Sequence, residues 1–212
     1  ADAIHAHGRT SSVQIHHGGE RAVRELNGGE LLAPWDGGEF GARALTTDEV
    51  KAARDAYVVA AVRAEKAGFH GVELHGAHGY LLCEFLDVAQ NQREDGYGSD
   101  YAGRTRLIRE IIDGVRASTG KDFQPGLRLS PERFGIDTAE ALQFAQELMT
   151  GGALDYLDMS LWDTFKEPID ERYKGKPLVD WFAALERGSC RLGVAGKLTS
   201  AARAQEALDH GA

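Results

Sequence analysis

Catalytic side chains are densest in the run His75-Gly76-Ala77-His78-Gly79-Tyr80. Two imidazoles on one short loop can donate two hydrogen bonds to an oxygen on which negative charge develops. A neighbouring phenol can supply a proton. The run therefore predicts a site that polarises a carbonyl group and protonates its substrate. The structural alternative is that His75 satisfies an internal hydrogen bond while His78 is simply exposed.

Two polar residues of predicted strands could bind a ligand beside that run. Arg128 lies in the middle of a strand, and a buried guanidinium needs an anionic partner. That partner could be Glu73 or Asp158, or a ligand that carries or develops negative charge. Gln14 has an amide that can both donate to and accept from a heterocycle, although it could equally bond within the core.

The segment Gly196-Lys197-Leu198-Thr199-Ser200 joins the last predicted strand to the last predicted helix. Glycine allows a close approach of the backbone, and the N-terminus of the following helix is positive. In barrels of parallel strands, phosphate sites commonly form after the seventh and eighth strands. Gly196 and Lys197 are therefore candidate phosphate contacts.

A zinc site is the alternative use of the histidines, since His16, His17, His75 and His78 could converge. No strand contains the HxH spacing of many zinc sites, and no clear carboxylate set accompanies the histidines. The sequence thus disfavours a metal-dependent barrel hydrolase, and we assign no metal ligand.

Alternating strands and helices must position these side chains. A capping box of Thr46 and Glu49 begins the first long helix, and glycines follow several of the helices. The predicted strands are Ser12–His16, Gly71–His75, Gly126–Ser130, Asp155–Ser160 and Arg191–Ala195. The predicted helices cover about 46–67, 100–118, 137–151 and 178–187, and a fifth begins at Thr199 or Ser200.

Repeated strand–helix units predict a parallel sheet with helices outside it. The strands alternate between apolar and polar residues, as in Val72-Glu73-Leu74-His75, whereas strands covered on both faces are continuously apolar. No GxGxxG follows a strand. The pattern favours a (β/α)8 TIM barrel with its polar face inside, of which about five units, the third to the seventh, are present.

Length and composition predict one domain, residues 1–212, and exclude several classes of partner. The 24 basic and 33 acidic residues give a net charge of -9, which argues against a nucleic-acid partner. No apolar run is long enough to span a membrane. Cys83 and Cys190 suggest neither a disulfide framework nor a zinc site, which favours a reducing, cytoplasmic location. The chain begins without methionine and stops at a helix end, so both ends are expected to be truncated.

Residues 68–82, with the sequence GFHGVELHGAHGYLL, closely resemble the Old Yellow Enzyme family of NAD(P)H:flavin oxidoreductases and ene-reductases. The order and spacing of further segments agree with the same family. These segments are VQIHHGG at 13–19, NQR at 91–93, YG at 97–98, GLRLSP at 126–131 and VAG at 194–196. The resemblance implies a (β/α)8 barrel that binds FMN and accepts hydride from NADH or NADPH.

The resemblance also implies a role for each candidate residue. Gln14 would bond the pyrimidine edge of the flavin, and Arg128 would stabilise the negative charge of its reduced form. Gly196, with Lys197 beside it, would lie at the FMN phosphate.

His75 and His78 would hold the carbonyl oxygen of an α,β-unsaturated alkene, and Tyr80 would protonate the α carbon opposite the hydride. His78 matches family members that have two histidines rather than His and Asn.

The chain departs from the family at Glu20, where an arginine is usual, and lacks the first, second and eighth strands. An inactive fragment that needs its missing strands is therefore a further alternative. A small-molecule substrate and a possible homo-oligomer are expected.

Overall fold

The described part of this computed structural model, residues 1–26 and 28–212, contains seven strands and seven α-helices. The strands are β1 (Ser12–Ile15), β2 (Leu32–Ala33), β3 (Arg43–Ala44), β4 (Gly71–Gly76), β5 (Gln124–Leu129), β6 (Tyr156–Ser160) and β7 (Arg191–Ala195). The helices are α1 (Asp2–His5), α2 (Thr47–Lys66), α3 (Leu81–Phe85), α4 (Tyr101–Ser118), α5 (Thr138–Thr150), α6 (Leu178–Ala183) and α7 (Ala201–Asp209).

The central sheet has the order β1-β4-β5-β6-β7, and every neighbouring pair is parallel. An open doubly wound sheet reverses its strand order at a switch point. Here the order follows the chain without a reversal, as in a (β/α)8 barrel. The pair β2 and β3 forms a separate small sheet in the connection between β1 and α2. Within the described residues, no helix has the length and apolar character needed to cross a membrane.

Helix α2 begins where the sequence predicts. The Thr46 hydroxyl accepts from the Glu49 backbone N–H, while the Glu49 carboxylate accepts from the Thr46 N–H. Helix α4 buries one apolar stripe and packs beside α2 against the outer face of the sheet. That stripe consists of Leu107, Ile108, Ile111, Ile112 and Val115. One face of every strand therefore lies in the core, and the other is left for polar residues.

All five predicted strands are present; Arg191–Ala195 has its predicted bounds, and the ends of the other four differ by at most two residues. Helix α6 ends at Ala183 rather than near residue 187, because the chain leaves the helix in a turn in which the Leu185 N–H bonds the Phe182 carbonyl. Helix α3 was not predicted, since its five residues are too few to show a helical period. The two cysteines are free and buried.

The polar, inner face of the sheet is filled partly by Tyr156. A Cβ at Gly126 would lie 2.0 Å from an atom of the Tyr156 ring. The Tyr156 hydroxyl reaches across the face to the Ser12 hydroxyl, 3.1 Å away on the far strand. Glycine at position 126 therefore lets one aromatic ring bridge the inner face, and the site lies toward the carboxyl ends of the strands.

Candidate active site

His75, His78 and Tyr80 form one cluster where β4 ends and α3 begins. The His75 ring centroid is 5.0 Å from that of His78 and 5.2 Å from that of Tyr80. His16, just after β1, adds a fourth ring, 5.2 Å from Tyr80 and 6.0 Å from His75. The structure thus brings the three predicted residues together. The sequence suggested His16 only as a metal ligand.

Burial keeps the imidazoles of His75 and His78 neutral near pH 7. His75 is 4% exposed, and burial, with the charges of His78, Arg128 and His16, lowers its pKa to about 4. Burial and Arg128 lower the pKa of His78 as well. The buried His75 Nδ1 has no hydrogen-bond partner among the described residues. Near pH 7 each ring carries one N–H, which can be offered to a ligand oxygen.

The loop backbone fixes the direction of the second imidazole. His78 has φ 63°, in the left-handed region that residues other than glycine adopt uncommonly, although His does so more often than most. The Ser130 hydroxyl, just beyond β5, accepts a hydrogen bond of 3.1 Å from the His78 N–H. The end of the neighbouring strand therefore holds His78 beside His75. Ser130 was not singled out from the sequence, where a serine before a proline gives no sign of such a contact.

Arg128 lies next to the histidines, since it is aligned with His75 on one side and with Asp158 on the other. Its Nε donates to the Ser160 hydroxyl at 2.7 Å and lies 3.2 Å from an Asp158 carboxylate oxygen. Of the two partners considered, Asp158 is therefore the one that pairs with Arg128. The two terminal nitrogens of Arg128 make no hydrogen bond with the described residues, so they remain available to a ligand.

Gln14 occupies the inner face of β1, opposite Glu73 of β4. Its amide nitrogen donates to a Glu73 carboxylate oxygen at 2.5 Å. Burial and the charge of Asp158 raise the pKa of Glu73, whereas the Gln14 bond and Arg128 lower it less. The amide oxygen of Gln14 has no partner in the described chain. Gln14 therefore has an acceptor free for a ligand, but it is not adjacent to Arg128, since β4 lies between their strands.

An open cavity of about 140 Å³ borders His78 and Arg128. Its other walls include Ser160 and the end of β7 at Gly196. Gly196 has φ 154°, and a Cβ there would come within 2.9 Å of the backbone of Trp162 and Asp163. Only glycine therefore allows this close approach between the loops after β6 and β7.

Lys197 is not among the residues that line the cavity. Its ammonium group is 3.3 Å from the Asp163 carboxylate, and its side chain is 63% exposed. The helix that follows, α7, is capped by Ser200, whose hydroxyl accepts from the Arg203 N–H. The structure therefore places Gly196, but not the adjacent Lys197, in the cavity wall.

The departure at Glu20 creates a second buried carboxylate beside Glu84. The Glu20 N–H donates to Glu84 Oε1 at 2.8 Å, and Trp35 Nε1 donates weakly to the Glu20 carboxylate at 3.4 Å. Burial, together with the charge of Glu20, raises the pKa of Glu84 to about 8. At neutral pH Glu84 therefore carries a proton for most of the time.

The histidines do not form a metal site in this arrangement. Across residues 1–26 and 28–212, no group of three His, Cys, Asp or Glu side chains is placed to hold an ion. The zinc-hydrolase alternative therefore finds no ligand set in the described chain.

Comparison with known proteins decides the family. A model of the NADH:flavin oxidoreductase / NADH oxidase family matches residues 1–169. The chain belongs to this family. The resemblance to this family seen in the sequence is thereby confirmed. Proteins of this family use FMN as cofactor and NADH or NADPH as reductant.

Several members of the family are similar to the chain over nearly all of its length. An NADPH dehydrogenase of Halalkalibacterium halodurans is 32% identical over 99% of this chain and 62% of its own length. An NADH:fumarate oxidoreductase of Klebsiella pneumoniae is 31% identical over 100% of this chain and 24% of its own length.

Two solved structures of the family show the same architecture. The Old Yellow Enzyme homologue from Zymomonas mobilis has a TM-score of 0.80 at 28% identity, over 99% of this chain and 62% of that structure. Morphinone reductase in complex with tetrahydroNAD has a TM-score of 0.79 at 28% identity, over 99% of this chain and 61% of that structure. The described sheet is therefore part of a (β/α)8 barrel, and the chain spans about three fifths of these relatives.

Proposed function

We propose that the protein containing this chain is an FMN-dependent oxidoreductase that reduces activated alkenes. Electrons would pass from NADH or NADPH through the flavin to an α,β-unsaturated carbonyl compound. The observation that carries the proposal is the cluster of His75, His78 and Tyr80 at the mouth of a flavin-oxidoreductase barrel.

The inner face of the sheet fits a flavin. Gln14 presents an amide oxygen, which suits an N–H on the pyrimidine edge of the ring. The free terminal nitrogens of Arg128 suit a carbonyl oxygen or a ring nitrogen that gains negative charge. Gly196, with Lys197 next to it in the chain, would lie near the phosphate. Bound FMN supplies the hydride chemistry that no side chain of this chain can perform.

The two imidazoles would bind the substrate carbonyl. Each is neutral near pH 7 and offers one N–H, so both can donate to the same oxygen. The negative charge on that oxygen grows as hydride adds to the β carbon, and the two hydrogen bonds strengthen with it. His75 and His78 therefore stabilise the transition state more than the bound substrate.

Tyr80 would complete the reaction by donating its hydroxyl proton to the α carbon. The carbon–carbon double bond then gains one hydride and one proton, NAD(P)H is oxidised to NAD(P)⁺, and solvent returns the proton to Tyr80. The proximity of the Tyr80 and His75 rings, whose centroids are 5.2 Å apart, supports this role, because the proton donor must act close to the group that holds the carbonyl.

The remaining expectations about the protein are predictions. A small-molecule substrate agrees with a concave site lined by a few convergent polar side chains, among them His78 and Arg128. Cytoplasmic location and assembly into a homo-oligomer are further predictions.

The full-length protein provides the test. We expect it to purify with, or to take up, one FMN per chain, seen as a visible flavin absorption band. In Tyr80→Phe, reduction of methyl 4-oxopent-2-enoate should slow by roughly 100-fold or more, the size expected for loss of a general acid. Consumption of NAD(P)H in the first half-reaction should persist. The matched control Tyr173→Phe, which removes a hydroxyl remote from the cluster, should leave both half-reactions unchanged.

Two outcomes would contradict the proposal. A full-length protein that neither contains nor binds FMN would exclude the reaction class. Equal loss of both half-reactions in Tyr80→Phe would exclude the proton-donor role. Size-exclusion chromatography and FMN titration of the 212-residue chain separately test the fragment alternative, in which these residues need further strands to bind the cofactor.

A further inference from the structure

Two large side chains, Arg133 and Trp162, form a rim on the same cavity as His78 and Arg128. The Arg133 guanidinium carbon lies 4.8 Å from the centre of the Trp162 ring, within cation–π range. Trp162 is 61% exposed, although large aromatic residues are usually buried. The catalytic cluster does not account for either residue.

The backbone holds both residues in an unfavourable conformation. Arg133 has φ 68° and Trp162 has φ 63°, and neither is a residue type that favours the left-handed region. The loop of Trp162 is fixed to the end of β7, because the Thr164 N–H and hydroxyl both donate to the Gly196 carbonyl. Such strain clusters at ligand-binding sites, where the surrounding structure enforces it. The fold therefore keeps the Trp162 side chain exposed to solvent.

Arg133 leaves an unbalanced positive charge at this rim. Three carboxylates in or beside the cavity walls already have cationic partners. The pairs are Asp158 with Arg128, Glu132 with Lys166, and Asp163 with Lys197. In the described part of the chain, no carboxylate lies within 4.0 Å of the Arg133 guanidinium. In a protein with a net charge of -9, a free guanidinium over an aromatic ring is a ready anion site.

We propose that Arg133 binds a carboxylate of the alkene substrate, with Trp162 covering the adjacent carbon chain. The inference rests on the proposed function and narrows its substrate class to unsaturated carbonyl compounds that carry a second, anionic group. A substrate is favoured over the remote phosphate of NADPH because Arg133 and His78 border the same cavity. One end of a small molecule can therefore reach the His78 imidazole while the other end reaches the Arg133 guanidinium.

Binding of an unreactive analogue separates this proposal from catalysis. 4-Oxopentanoate has a ketone and a carboxylate but no double bond, and its methyl ester lacks the charge. In calorimetric titrations of the full-length FMN-loaded protein, we expect Arg133→Gln to weaken 4-oxopentanoate binding by about 10- to 100-fold, the value of a charge-assisted hydrogen bond. Binding of the ester should be unchanged. Arg133→Lys should restore part of the loss.

Arg106→Gln is the matched control, because Arg106 also stacks on an aromatic ring but lies outside the cavity. Its guanidinium carbon is 4.9 Å from the centre of the Tyr97 ring. This control variant should bind both ligands like the wild type. Trp162 supplies a second readout. 4-Oxopentanoate should change the tryptophan fluorescence of the wild type but not that of Trp162→Phe.

Equal weakening of acid and ester binding in Arg133→Gln would overturn the proposal, as would unchanged binding of both. So would a higher KM for NADPH with unchanged 4-oxopentanoate binding, which would assign Arg133 to the reductant. Failure of the proposed function is seen separately, as absence of flavin or of reduction of the neutral ester methyl 4-oxopent-2-enoate. A protein that binds FMN but does not reduce the ester still allows the analogue-binding test, whose result then bears on Arg133 alone.

Discussion

The low pKa of His75 makes part of the stability of the fold depend on pH. Its value of about 4, against 6.5 for a free imidazole, arises first from burial and then from the nearby charges. Between these two values the unfolded chain binds a proton more readily than the folded chain does. The contribution of His75 is therefore full above pH 6.5 and is lost as the pH falls toward 4. From pH 8 to pH 5 the proton-binding relation gives a loss of about 2 kcal/mol.

Urea unfolding at pH 8 and pH 5, followed by circular dichroism, measures this loss. In His75→Asn the residue no longer titrates, so its free energy of unfolding should fall by about 2 kcal/mol less than that of the wild type. Comparing wild type and variant at each pH cancels the contributions of other groups. The control is His7→Asn, at an exposed position outside the cluster. Equal losses in wild type and His75→Asn would refute the assignment of a buried, neutral His75.

Two other substitutions test the interior. In Gly126→Ala the new Cβ would meet the Tyr156 ring at 2.0 Å, so we expect the free energy of unfolding to fall by about 1–3 kcal/mol. Adding Tyr156→Ala to this variant should remove that penalty. Strictly additive effects of the two substitutions in urea titrations would contradict the contact. The pKa of Glu84 is raised to about 8, so its contribution to the free energy of unfolding falls as the pH rises from 4.5 to 8. Calorimetry should show Tm falling over that range more for the wild type than for Glu84→Gln, and parallel curves would exclude a buried, protonated carboxyl.

The sequence was sufficient to predict the five strands of the central sheet and the cluster of His75, His78 and Tyr80, for physical reasons. An alternating strand exposes its period directly, and each of the five is bounded by a loop and a helix. His75, His78 and Tyr80 lie within six residues of one another, so a single loop brings them together whatever the rest of the chain does.

Contacts between distant segments could not be predicted in the same way. Asp158 and Glu73 were both possible partners for Arg128, and the choice depends on the register of three strands. Glu73 is instead bonded to Gln14, across a strand pair that is remote in sequence. The positive φ at Arg133 and Trp162 gives no sequence signal either, because residues of these types rarely adopt it.

The left-handed backbone of His78 also limits how this position can change in evolution. Apart from glycine, the residues that adopt positive φ most readily are Asn, Asp and His. Of these, Asn and His carry an N–H donor when neutral. An exchange between His and Asn therefore preserves both the left-handed loop conformation and the side-chain N–H donor. A branched apolar residue would disfavour that conformation and would lack the donor. The fold therefore restricts position 78 to His or Asn if both the loop and the hydrogen bond are to be kept.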